Sequence, residues 1–217
     1  MEIVKIYVPN LYAIRYNGDK LNIYKLVYER LTDADYLQQF FDTFKDRISK
    51  HIVSSLGYPR EETEEYISEV HDRMIDIVEE IQKICCDIRN GKAKDFGTMF
   101  EPHSRQDLRQ LPAGGGSSTK YALSYLPVKC WGSGRKPSLV RVYAIELALD
   151  CYIIIYGGIK IDLDTNCCPT FDRNGNETTL ENELYNRVTS VARFLTEKGI
   201  IDKEGLTQYM DEDYEDR

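Results

Sequence analysis

Residues 139–161 read Leu-Val-Arg-Val-Tyr-Ala-Ile-Glu-Leu-Ala-Leu-Asp-Cys-Tyr-Ile-Ile-Ile-Tyr-Gly-Gly-Ile-Lys-Ile. No other stretch is so dense in β-branched and aromatic residues, which suit a pleated, packed surface. The short break at Leu149-Asp150 divides the run into two strands, Leu139–Ala148 and Cys151–Ile161, joined as a tight antiparallel hairpin. A hairpin this apolar has to sit in the core of a sheet. The fold expected around it is α+β: an antiparallel sheet of about 4–6 strands with several packing helices.

The rest of the chain supplies those elements. Residues 3–16 read as one or two strands interrupted at Pro9-Asn10, since proline cannot donate to a central ladder. A helix is predicted from about Lys20 to Leu31. A second starts at Thr32 or Asp33, both good N-caps, and continues to about Leu56, with Leu37, Phe40, Phe41, Phe44 and Ile48 as its apolar stripe. The longest helix opens on Glu61-Glu62-Thr63-Glu64-Glu65, where acidic residues suit the helix dipole, and stops at Asn90-Gly91. Tyr121–Val128 reads as a strand and Asp162–Gly175 as irregular. A last helix is capped by Thr178 or Thr179 and ends at Lys198-Gly199, with one further turn from Gly205 to Tyr209. The expected division is an N-terminal strand and helical region (1–95), an α+β core (96–205) and a charged, frayed tail (206–217).

Net charge is −8, spread unevenly. Residues 61–91 carry ten acidic groups against three basic ones, and residues 161–217 carry fourteen against six. Residues 92–160 reverse the balance, with ten basic against five acidic. An acidic whole argues against nonspecific coating of nucleic acid. A local basic face can still bind phosphate, because screening confines charge effects to about 10 Å at ordinary salt. No apolar run approaches the roughly 20 residues that span a bilayer, so no membrane partner is expected. The N-terminus lacks a signal-peptide pattern, and a cytoplasmic location is expected.

Cys85, Cys86, Cys130, Cys151, Cys167 and Cys168 include two adjacent pairs but no Cys-x-x-Cys. That spacing does not suit zinc, and reduced, mostly buried thiols are expected. No metal or cofactor is expected. Leu111 to Lys120 contains Gly114-Gly115-Gly116, but it lacks the spacing of a phosphate-binding loop and leads into a strand, so it reads as a flexible connection. Lys129 to Ser138 forms a basic loop around Trp131, the one tryptophan. Interleaved basic and aromatic groups on a loop can bind single-stranded nucleic acid, and Trp131 can equally cap the core. His51 and His71 read as structural. His103, in a loop of the basic segment, is the histidine placed where a general acid or base could work.

Arg141 lies within the first hairpin strand and shares a face with Tyr143, because side chains alternate along a strand. Val140-Arg141-Val142-Tyr143, the apolar strand Tyr152–Tyr156, Gly157-Gly158-Ile159-Lys160 and the helix beyond resemble the RelE/HigB-type toxin superfamily over residues about 96–200. The chain differs in having Lys160-Ile161 where many members carry a lysine doublet, and about 95 residues ahead of the resemblance. The resemblance implies an antiparallel sheet with flanking helices and metal-independent cleavage of mRNA on the ribosome. By the same resemblance Arg141 and Lys160 would stabilise charge developing on a phosphate, and Tyr143 or His103 would move protons. RNA, the ribosome and a cognate antitoxin would then be the partners.

The other reading is a non-catalytic protein that binds a basic protein partner through the acidic 61–91 helix and the acidic tail. Surface charge in the folded state separates the two. A concave basic cleft over the hairpin favours the nuclease. A basic surface covered by the long helices, with an exposed acidic ridge, favours the binder.

Overall fold

A computed structural model of the chain describes residues 1–56, 63–92, 95–102, 126–130, 138–162 and 164–215. His103, the Gly114–Gly116 run and Trp131 lie outside the described residues. The strands are β1 (Glu2–Tyr7), β2 (Leu11–Arg15), β3 (Glu101–Pro102), β4 (Leu126–Cys130), β5 (Val140–Ala148), β6 (Cys151–Ile159), β7 (Pro169–Phe171) and β8 (Glu177–Thr179). The helices are α1 (Ile23–Thr32), α2 (Ala34–Phe44), α3 (Lys50–Leu56), α4 (Thr63–Arg89), α5 (Leu180–Glu197) and α6 (Lys203–Glu215). The fold is α+β, as expected from the sequence. None of the helices among the described residues is long and apolar enough to cross a membrane.

Six strands form one sheet in the order β1-β2-β6-β5-β4-β3, and β7 and β8 form a separate hairpin. The expected β5–β6 hairpin is present, running from Val140 opposite Ile159 to Ala148 opposite Cys151. The sheet is mixed rather than wholly antiparallel, because β2 pairs with β6 in parallel, Leu11 opposite Tyr152. The boundary expected at residue 95 therefore does not divide the sheet: β1 and β2 continue it beyond β6. The apolar surface of β6 needs a neighbour on each edge, and β2 supplies one of them.

Adjacent residues of β6 point to opposite faces, and both faces are covered. Gly157 lies under α1, so closely that a Cβ placed there would stand 2.6 Å from Val27 Cγ1. Tyr156, the neighbour, lies on the other face, with the Arg187 guanidinium of α5 at 5.8 Å from its ring. Ile153, Ile154 and Ile155 are all buried. This is why the strand reads as a continuous apolar run instead of an alternation.

Several helix ends follow local chemistry. Asp33 caps α2 by accepting from the Asp35 and Tyr36 amides, and Thr179 caps α5 by accepting from the Asn182 amide. Gly199, at φ 69°, ends α5. Asn22 caps α1, placing its start slightly later than expected.

The predicted single helix from Asp33 to Leu56 is broken after Phe44. Ile48 is extended, and the Ser49 amide bonds to the Ile161 carbonyl just beyond β6, which turns the chain before α3. The break lets Phe44 pack at 4.9 Å from Phe171 of β7, while Phe41 stacks on Tyr66 of α4. Residues 206–215, expected to belong to a frayed tail, are helical. α6 runs to Glu215, with Leu206 and Met210 buried and Tyr209 edge-on to Phe194 at 6.1 Å. The expected irregular segment 162–175 contains β7.

The close approach of α1 to β6 yields a stability prediction. Val27 is β-branched and stiff within its helix, so it cannot swing away from a new methyl. Gly157→Ala is expected to cost about 1–3 kcal/mol, seen as a lower denaturant midpoint at unchanged slope. Gly158→Ala meets the Tyr156 side chain less closely, its hydroxyl at 3.3 Å and its ring carbons at 3.6 Å, and is expected to cost less.

Candidate functional site

Arg141 enters β5 with its guanidinium folded back on the chain. Nη1 donates to the Ser138 carbonyl at 2.6 Å and to the Val140 carbonyl at 2.7 Å. The Ser138 hydroxyl accepts from the Val140 amide at 3.1 Å, so the entry to the strand is tied together locally. Arg141 is only 8% exposed. A cation there needs acceptors, and the two carbonyls supply them.

Tyr143 lies two residues further along the same face and is 1% exposed. Its ring stacks against Tyr156 with centroids 6.2 Å apart. Burial pushes its hydroxyl pKa well above the ordinary tyrosine value, against the opposing pull of Arg141. Lys160 follows β6 and is half-buried, its backbone amide bonded to the Leu139 carbonyl at 2.6 Å. Its charge acts on Cys168 and Asp164. Arg141, Tyr143 and Lys160 are thus gathered at one end of the hairpin, where Arg141 pairs with Gly158 and Tyr143 with Tyr156. Of the three, Lys160 alone is partly open to solvent.

A second polar cluster lies between the sheet and α5. Glu183 and Arg187 form a buried ion pair one helical turn apart, with Arg187 Nε at 2.7 Å from Glu183 Oε1. The Arg187 guanidinium lies 4.3 Å from the centre of the Tyr16 ring. The Tyr16 hydroxyl donates to the Ile155 carbonyl at 2.8 Å, and the Tyr156 hydroxyl meets Thr170 Oγ1 at 3.3 Å. Burial works against the Arg187 charge, yet Tyr16 and Glu183 hold its pKa above the ordinary arginine value. Burial likewise raises Tyr16 and Tyr156. The sequence held a signal for this cluster: Glu183 and Arg187 fall at helical spacing beside Leu184, Val188 and Val191, on the apolar face of α5.

The third charged feature is the outer face of α4. Glu64, Ser68, Asp72, Asp76 and Glu79 follow one another at three- or four-residue spacing and form one stripe along the helix. Glu64, Asp72 and Glu79 are exposed. Arg73 lies 3.3 Å from Asp76 of the stripe and 3.7 Å from Glu69. His71 sits beside Asp72 on the helix surface, Nδ1 at 3.2 Å from Oδ1. No group of three or more metal-ligating side chains occurs among the described residues.

No protein-family model, curated protein or solved structure matches the chain.

Two predictions come from the buried cluster. Glu183→Ala leaves the Arg187 charge buried without its carboxylate and is expected to cost about 3–5 kcal/mol in denaturant unfolding. Replacing both partners, Glu183→Leu with Arg187→Met, is expected to regain most of that loss.

The buried tyrosines set an alkaline limit. The pKa values of Tyr16, Tyr143, Tyr152 and Tyr156 are raised by burial, and that of Tyr12 is pushed up to about 12. The folded state disfavours their phenolates, so its stability is full below about pH 10, the unfolded value, and falls as pH climbs beyond it. Phenolate absorbance is expected to rise in two steps, the exposed tyrosines first. The second step should coincide with loss of the circular dichroism signal.

Proposed function

We propose that the chain is a non-catalytic interaction protein that binds a basic protein partner through the acidic outer face of α4. The observation that carries this reading is the distribution of cover and charge. Helices pack on both faces of β6, closing off Arg141 and Tyr143, while α4 turns Glu64, Asp72 and Glu79 outward. A row of like carboxylates on a rigid helix attracts a row of lysines or arginines and speeds encounter with it.

Affinity capture from cells, with the wild type beside Glu64→Gln/Asp72→Asn/Glu79→Gln, tests it. All three side chains are exposed, so the variant keeps the fold. Wild type is expected to hold a basic protein that elutes as salt rises and that the variant loses about tenfold or more. Equal capture by both would count against α4 as the contact.

A second reading, a RelE/HigB-like RNA endonuclease, is favoured by the position of Lys160. It is half-buried, so part of it meets solvent, and it stands at the end of the hairpin that holds Arg141 and Tyr143. In that reading the RNA 2′-hydroxyl attacks the adjacent phosphate, and Lys160 and Arg141 stabilise the developing charge. Induction in a bacterial host separates the readings. The nuclease is expected to arrest growth as wild type and to lose the effect as Lys160→Ala. Absence of arrest by wild type leaves the interaction protein. Lys160 is preferred to Arg141 for this test because removing Arg141 strips two strand-entry carbonyls of their donor.

A further inference from the structure

The chain holds three Asn-Gly pairs, Asn17-Gly18, Asn90-Gly91 and Asn174-Gly175. Such a pair carries the parts of a covalent reaction within itself. Glycine has no Cβ, so its backbone nitrogen can approach the preceding asparagine side chain closely. Once that nitrogen has lost its proton, it attacks the side-chain Cγ. A C–N bond forms and closes a succinimide ring, and the carboxamide nitrogen takes up a proton and leaves as ammonia. Water then opens the ring at either carbonyl, which gives aspartate or isoaspartate. The co-reactant is water alone. All three asparagines are exposed, so access to solvent does not choose among them.

The fold decides which nitrogen is available. The Gly91 amide donates to the Ile88 carbonyl at 3.0 Å, and the Gly175 amide to the Asp172 carbonyl at 3.2 Å. Each of those bonds has to be given up before attack. At the second pair the Asp172 carboxylate also accepts from the Asn174 and Asn176 amides, so a negative charge already stands in that turn and opposes another on the glycine nitrogen. Among the described residues no acceptor takes the Gly18 amide. Asn17 Oδ1 accepts from the Met1 amino group, while its Nδ2, the atom that leaves, has no partner among the described residues.

A second observation sets the 17–18 peptide apart. Arg173, in the turn between β7 and β8, donates from Nη2 to the Asn17 carbonyl at 3.2 Å. The same nitrogen lies 2.6 Å from Asp19 Oδ1, and the guanidinium is 5.4 Å from the centre of the Tyr16 ring. Asp19 offsets part of the charge but leaves the directed hydrogen bond in place. When the Gly18 nitrogen loses its proton, peptide resonance spreads the negative charge onto the Asn17 oxygen. A donor already aimed at that oxygen stabilises the anion that attacks.

We propose that Asn17 is a self-modification site: in the folded chain the Gly18 nitrogen converts it through a succinimide to aspartate and isoaspartate, with Arg173 as the positioning residue. The product adds a carboxylate beside Asp19. Its isoaspartate form routes the main chain through the side chain and lengthens the turn between β2 and α1. The reaction involves neither α4 nor the hairpin, and it does not depend on what the chain binds.

Tandem mass spectrometry with electron-transfer fragmentation, which distinguishes isoaspartate from aspartate, tests the proposal on the full chain aged at neutral pH. Wild type is followed folded and in guanidinium chloride, beside folded Arg173→Ala and Arg173→Lys. In folded wild type, Asn17 is expected to convert at least about tenfold faster than Asn90 and Asn174. In denaturant the three are expected to convert within about twofold of one another, because their tertiary neighbours are gone. Arg173→Ala is expected to slow Asn17 about tenfold without changing Asn90, and Arg173→Lys to restore part of the rate. The wild-type ranking needs no variant, so it decides the matter even if Arg173→Ala fails to fold. The proposal is overturned if Asn90 or Asn174 converts as fast as Asn17 in the folded chain. It is equally overturned if folded Arg173→Ala converts Asn17 as fast as wild type does, or if the lead of Asn17 persists in denaturant.

Discussion

The structure depends on the burial of β6 from both sides. A strand whose neighbouring residues face α1 and α5 cannot alternate apolar with polar. It reads Cys-Tyr-Ile-Ile-Ile-Tyr-Gly-Gly-Ile, apolar throughout and with no side chain at Gly157, where α1 comes closest. Glycine is required at this position by contact distance. Its freedom of backbone angle plays no part there. Once β6 is central, its edges need strands on both sides, and β2 and β5 fill them. The N-terminal residues thereby become part of the sheet.

A second constraint acts at the hairpin tip. Asp150 sits at φ 55°, a left-handed conformation that aspartate tolerates better than most residues. Its carboxylate then accepts from Phe96 and Asn10, so one turn residue ties together the tip, the β1–β2 turn and the short helix at 96–98. The same rigidity shapes what the surface can do. Arg141 and Tyr143, built into one face of the hairpin, are enclosed, while Glu64, Asp72 and Glu79 on the outer helix are exposed. Arg141 shows the difference well. A strand arginine amid apolar neighbours can serve a phosphate only if it reaches one, and here its Nη1 is occupied by the carbonyls of residues 138 and 140.

The features legible in the sequence are those decided by a few neighbouring residues. The Asp33 and Thr179 caps, the Gly199 stop, the two-residue β5–β6 turn and the apolar stripes of α2, α4 and α5 all appear where local chemistry puts them. The break after Phe44 was not legible, because the amide that turns the chain finds its acceptor at Ile161, far along the sequence. The full length of α6 was hidden for a similar reason. Its acidic sequence has little helical signal of its own, and Tyr209 gains its contact with Phe194 of α5, and Leu206 and Met210 their burial, only in the folded chain. The Glu183–Arg187 pair could be placed on the apolar face of α5 by spacing, but the rings of Tyr16 and Tyr156 that enclose it come from two different strands' neighbourhoods.

By itself the sequence determined the kind of elements, their caps and turns, and the uneven charge along the chain, since each of these rests on interactions within a few residues. Only the tertiary structure decided that β2 runs parallel to β6, that Arg141 and Tyr143 are enclosed, and that the β1–β2 turn is tied to the β5–β6 tip. Those outcomes depend on which distant surfaces meet. Periodicity gives the face of a strand or helix, but it does not say what will cover that face.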